Sequence, residues 1–249
     1  MVKIEINDNQ YSVQSLKTLP TAKYFEAVDY AKDLTNIESF RSFLGIITNI
    51  PKETLDLLDI DMFSAADFRN ILGLESDDTE IIDSFKKNNI NELNELTAGA
   101  YRDVLDLFGV DLKESAKISG IVAVVLLNGH EYTKSTFTLT RDKVLSDMPI
   151  NETLAIYSTF ENWFITLQKH YSGLFDEAEE KKSVIEEEEE IEEEDSGNEF
   201  GFTYAILNAC NENALNRARI ESLTIIDFME WLSFNKYKSD NEKKTNDAV

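Results

Sequence analysis

Cysteine, histidine and proline are scarce in this chain, and each scarcity removes a class of chemistry. Cys210 is the only cysteine, so an internal disulfide is excluded, which suits a reducing compartment. Two histidines, His130 and His170, with that one thiol fall short of a structural zinc set unless carboxylates fill in. A general base needs an oriented partner; His130 lies beside a turn and His170 follows an aromatic helix face, so both read as ordinary residues. Cys210 sits in Asn208-Ala209-Cys210-Asn211-Glu212 with no cation before Arg217 to activate it, and it reads as a small buried residue. The nine glycines are scattered and form no phosphate-cradling loop or nucleophile elbow. Asp56, Asp59, Asp61 and Asp67 lack the central Gly and closing Glu of a calcium loop. No catalytic, cofactor-binding or metal-binding residue is expected.

Basic residues are half as numerous as acidic ones, 24 against 48, for a formal net charge of −24. Nucleic acid is then an unlikely partner, because phosphate affinity requires clustered Lys and Arg that release counterions. An anionic membrane surface is disfavoured for the same reason. The longest apolar run, Gly120 to Leu127, is far too short for a bilayer span. Residues Met1 to Ile6 alternate rather than forming the apolar block of a signal peptide. These features predict a soluble, intracellular protein.

What is present is a large apolar fraction, 42% of residues with 10% aromatic, ample for a core. Acid is concentrated from Asp176 to Asp195, where thirteen Asp or Glu face only Lys181 and Lys182. Removing that run's eleven net negative charges still leaves −13, so the rest of the chain is acidic too. Such a run cannot offset its ordering entropy and reads as a linker or as a tether for a basic partner. The chain thereby divides into four parts: a β-hairpin with short helices (1–75), a helical continuation (76–175), an acidic linker (176–197) and a helical tail (198–249).

Periodicity gives the elements. Val2, Ile4 and Ile6 alternate, Asn7-Asp8-Asn9 turns, and Tyr11 and Val13 resume, which predicts a hairpin. Thr21 is a candidate helix cap, Asn36 or Thr35 starts the next helix, Pro51 suits a first helical turn, and Ser64-Ala65-Ala66-Asp67 resembles a capping box. Helical spacing continues to Phe108, with Gly109 as a stop. Ile118 to Leu127 fits a buried helix or a buried strand. Asn128-Gly129 and the Thr/Phe alternation of Thr133 to Thr140 keep a hairpin at 118–140 open, with helix preferred from the surroundings. Asn151 is read as the cap of a long aromatic helix ending near Gly173. One helix from Phe200 towards Arg219 and another through Leu223, Met229 and Trp231 follow, with Ser239 to Val249 frayed. The fold class is mainly α with a small N-terminal β-hairpin. No clean internal repeat is visible, although Arg141–Gly173 and Arg219–Lys238 share a plan: a polar approach, then an aromatic helix.

The aromatics carry the functional expectation. Phe160, Trp163, Phe164 and Tyr171 span a wider arc than one helix face buries, and Trp231, Phe234 and Tyr237 lie in a short tail. Either the two segments pack together, or these seven residues form a groove for an apolar helix of another protein.

Three stretches resemble phage tail assembly chaperones: Ile4 to Val13, Leu19-Pro20-Thr21-Ala22-Lys23-Tyr24-Phe25, and Ile46-Ile47-Thr48-Asn49-Ile50-Pro51-Lys52-Glu53-Thr54-Leu55. Ser146-Asp147-Met148-Pro149-Ile150-Asn151-Glu152-Thr153-Leu154 is similar to a second recurrent phage element, and Leu223 to Tyr237 to the terminal helix of tail chaperones. The resemblance implies transient, non-catalytic binding to a tape-measure or other tail protein in the host cytoplasm, often by a chaperone made in short and frameshifted forms. Residues 77–140 exceed a minimal chaperone, so a structural or accessory virion protein of the tail or head is a second expectation. An acidic inhibitor that mimics nucleic acid is a third.

Overall fold

A computed structural model describes residues 3–6, 9–57, 93–127, 134–174, 201–210 and 214–246. The chain forms two compact units with interleaved segments. The first comprises Met1–Asn89, Leu112–Leu126 and Thr133–Ser158; the second comprises Ile90–Asp111, Leu127–Tyr132 and Thr159–Val249. The mainly helical class with an N-terminal hairpin is borne out. The linear four-part division gives way to this one, because residues 90–111 share a unit with the C-terminal helices.

In the first unit, β1 (Lys3–Ile6) pairs antiparallel with β2 (Asn9–Ser12), Ile4 opposite Tyr11. Ile6 and Val13 turn inward to a core of Leu16, Leu19, Phe40, Phe43, Leu44 and Ile47. Around it lie α1 (Thr21–Ala31), α2 (Ile37–Thr48) and the single turn α3 (Lys52–Leu55). Asn36 caps α2 as expected, its Oδ1 accepting from the Glu38 and Ser39 amides at 2.9 and 3.2 Å. Asn49, at φ 55°, ends the helix in the left-handed region that Asn tolerates. Thr21 opens α1 without a side-chain cap, and Pro51 flanks α3 rather than entering it.

Two further helices, α5 (Glu114–Leu126) and α6 (Lys134–Ser146), complete this unit with the start of α7 (Ile150–His170); α4 belongs to the second unit and is described below. The possible β-hairpin at 118–140 is corrected: both arms are helical. Residues Ile118 to Val125 are buried on every side of α5, so no periodicity remains to separate helix from strand in sequence. In α6 one of the alternating threonines bonds back to the helix: the Thr138 hydroxyl donates to the Lys134 carbonyl at 2.9 Å.

A short antiparallel crossing ties the beginning of this unit to its end. Pro20 lies opposite Pro149. The bonds come from their neighbours: the Thr21 amide donates to the Met148 carbonyl at 3.0 Å, and the Ile150 amide to the Leu19 carbonyl at 2.9 Å. Neither central residue needs an amide proton, which is why proline fits on both sides. The buried hydroxyls of Thr21 and Thr153 lie 2.7 Å apart beneath the crossing.

The second unit repeats the device. A 3-10 turn, Leu93–Glu95, leads to Thr97, which lies opposite Thr224. The Ala98 amide donates to the Leu223 carbonyl at 2.8 Å and the Ile225 amide to the Leu96 carbonyl at 2.6 Å. From it run α4 (Ala98–Gly109), ending at Gly109 as expected, and α10 (Ile225–Asn246). Between them in sequence come the distal half of α7, then α8 (Gly201–Ala209) and α9 (Ala214–Glu221). The single helix expected from Phe200 towards Arg219 is therefore two, and α10 runs to Asn246, into the stretch expected to fray. Gly99 lets α4 lie against α9, since a Cβ there would sit 3.1 Å from the Glu221 Cβ and 3.2 Å from its carbonyl oxygen. Arg102 bridges Asp103 and Glu221 at that contact, and Arg217 reaches Glu221 at 2.8 Å.

Candidate partner-binding surface

The core of the second unit decides which aromatics are free. Ala98, Ile206, Cys210 and Phe228 form its buried cluster, with Phe202, Leu223 and Leu232 against it. Phe164 stacks on Tyr101 with centroids 5.4 Å apart, and Phe202, Phe108 and Phe160 extend the array. Phe160 is fully buried and Phe164 nearly so, which corrects their placement on a binding face. Two rings of α4, Tyr101 and Phe108, distant in sequence, lie against Phe164 of α7. Trp163 is half-buried, and its indole N–H donates to the Asn94 Oδ1 at 2.9 Å.

The other four residues fall together on or beside α10. Thr224 caps the helix: its hydroxyl accepts from the Asp227 amide at 3.1 Å and donates to the Asp227 carboxylate at 2.7 Å. The inward side of α10 carries Ile225, Phe228 and Met229, all fully buried. Its outward side carries Trp231, Phe234 and Tyr237, exposed by 42%, 64% and 68%. Spaced three apart, they step back about 60° each time and form a slanting band along the helix. Trp231 is held in place by stacking on Phe228, 6.0 Å between centroids and 13° from parallel.

Tyr171 flanks this band. Burial raises its pKa, and the negative charges of Glu230 and Asp227 raise it further. The turn Ser172–Leu174 is fixed to α10 by the Lys236 ammonium, which donates to the Gly173 carbonyl at 2.5 Å. Lys238 faces Glu242 at 3.9 Å. The band is thus apolar, with Asp227 and Glu230 exposed beside its upper end.

Two exposed apolar residues that sequence reasoning passed over, Tyr204 and Leu207, lie one turn apart on α8. Their i, i+3 spacing was the available signal. Cys210 is buried, as its surroundings in sequence implied. His170 is exposed with its ring edge-on to Tyr171, while His130, Asp59, Asp61, Asp67, Ser64 and the acidic run lie outside the described residues. Among the described residues no cluster of His, Cys, Asp and Glu is arranged to hold a metal ion, and no helix is long and apolar enough to cross a membrane. Comparisons with protein-family models, curated proteins and solved structures returned no match.

Proposed function

We propose that this protein is a non-catalytic phage tail assembly chaperone that holds apolar helical segments of an unassembled tail protein, of the tape-measure kind, in the host cytoplasm. The observation that carries the reading is the outward aromatic band Trp231, Phe234 and Tyr237 on a helix whose first turns bury Ile225, Phe228 and Met229 on the other side. Soluble monomers seldom expose neighbouring large rings without use. Covering each ring contributes on the order of 1.5–3 kcal/mol before ordering costs, enough for reversible capture of a client helix. The resemblance of Leu19 to Phe25, Ser146 to Leu154 and Leu223 to Tyr237 to tail chaperones supports the choice of client.

Co-expression with a tape-measure protein tests this reading. The client's soluble fraction and its recovery by pull-down rise with the wild-type chain, and fall back when Phe234 and Tyr237 are both replaced by Ser. Unchanged client solubility in the presence of the wild-type chain defeats the proposal. Stoichiometric presence in purified particles replaces it with a virion component.

A further inference from the structure

The two units share one plan, and their differences expose what α10 is for. Matching the crossings pairs Leu16, Leu19, Thr21, Tyr24 and Ala27 with Leu93, Leu96, Ala98, Tyr101 and Val104. It also pairs Pro149, Ile150 and Thr153 with Thr224, Ile225 and Phe228. Beneath the crossings the buried residues change together. Thr21 with Thr153 in one unit becomes Ala98 with Phe228 in the other, and all four are fully buried.

In the same register Trp231, Phe234 and Tyr237 correspond to Ile156, Thr159 and Asn162 of α7. Ile156 is fully buried, whereas Trp231 is open. Thr159 and Asn162 are polar, and the rings that stand in their place on α10 are largely exposed. The rings at Phe234 and Tyr237 are therefore not required by the fold.

A second copy of this chain is not the natural occupant. Helix α7 passes from the first unit into the second, where Phe160, Phe164 and Leu167 are buried. Their counterparts on α10 are Asn235, Ser239 and Glu242, all polar. These positions of α10 therefore offer no apolar surface to a second copy, and the aromatic band occupies a different face.

Charge defines the partner. Asp227 and Glu230 border the band at Trp231, while Lys236 is committed to the Gly173 carbonyl and Lys238 lies beside Glu242. The chain as a whole carries −24, which favours encounter with a cationic surface. We infer that the outer face of α10 docks an amphipathic helix of a different protein, whose apolar ridge is bordered by Lys and Arg. This inference rests on the chaperone reading and specifies the chemistry of its client.

The test uses the full chain and two fluorescein-labelled helical peptides of about 20 residues, long enough to form helix. They share one Leu/Ile ridge, bordered by Lys in one and by Glu in the other. Fluorescence anisotropy is expected to show the Lys-bordered peptide binding at least about tenfold more tightly than its twin. Phe234→Ser with Tyr237→Ser abolishes that binding while the circular dichroism stays unchanged, because both rings are exposed. Glu230→Gln weakens it severalfold and flattens its salt dependence.

Equal binding of the two peptides, or binding that survives the double substitution, overturns the inference. If neither peptide binds while co-expressed tape-measure protein is still kept soluble, the inference falls and the chaperone reading stands. Concentration-dependent dimerisation that disappears in the double variant identifies a second copy as the occupant and also overturns it.

Discussion

Tyr101 shows how a single atom reports on the core around it. The residue is fully buried, its ring lies between Phe164 and Phe202, and among the described residues its hydroxyl has no hydrogen-bond partner. Leaving such a group unpaired costs about 1–3 kcal/mol, so Tyr101→Phe is expected to raise the urea midpoint. A lowered midpoint would mean that the hydroxyl is satisfied after all. Burial also pushes the phenol well above its ordinary value, which fixes the sign of the alkaline response. The unfolded chain ionises near pH 10 while the folded one holds the proton, so this contribution is present below about pH 10 and lost as pH rises beyond it. Wild-type stability therefore falls above that pH, and the Phe variant loses less. The same scale explains what the sequence could tell about the site. Cys210 was legible because its neighbours set its chemistry, whereas Phe160 and Phe164 were not. Phe164 packs on Tyr101 and Phe108, which no local pattern links to it.

Helices were legible wherever one side is wet. The 3.6-residue stripe of α2 and its Asn36 cap follow from sequence, and so does the stop at Gly109. The strand-like appearance of α5 arises because Ile118 to Val125 are buried all round, which erases the period. The break between α8 and α9 was missed for a different reason: no proline or glycine marks it. At the start of α10, Thr224 both caps the helix and occupies the crossing opposite Thr97. Thr224→Ala is expected to destabilise the second unit by about 1 kcal/mol. Thermal unfolding read by far-ultraviolet circular dichroism checks this, and a melting temperature equal to wild type would show that the cap is dispensable.

For the molecule as a whole, the decisive pairings join segments far apart in sequence. Arg102 meets Glu221, Tyr101 meets Phe202, and Ala98 shares a cluster with Phe228. The shared plan of Arg141–Gly173 and Arg219–Lys238 was faintly visible in sequence. Its meaning, two equivalent crossings, required the partners at Leu19 and Leu96. A specific protease site inserted between Ser196 and Gly197 tests this organisation. After cleavage the C-terminal fragment is expected to stay with the remainder through gel filtration, held by the core it shares with α4. Elution of that fragment alone would show that the C-terminal helices do not belong to the second unit.

Interleaving also sets the order in which the newborn chain closes. Thr97 has no partner until Thr224 has left the ribosome, so α4 emerges long before the helix that anchors its beginning. Tyr101 and the rest of its buried side stay uncovered while the residues up to Thr224 are made. For that interval the chain itself exposes the kind of apolar surface that a chaperone covers.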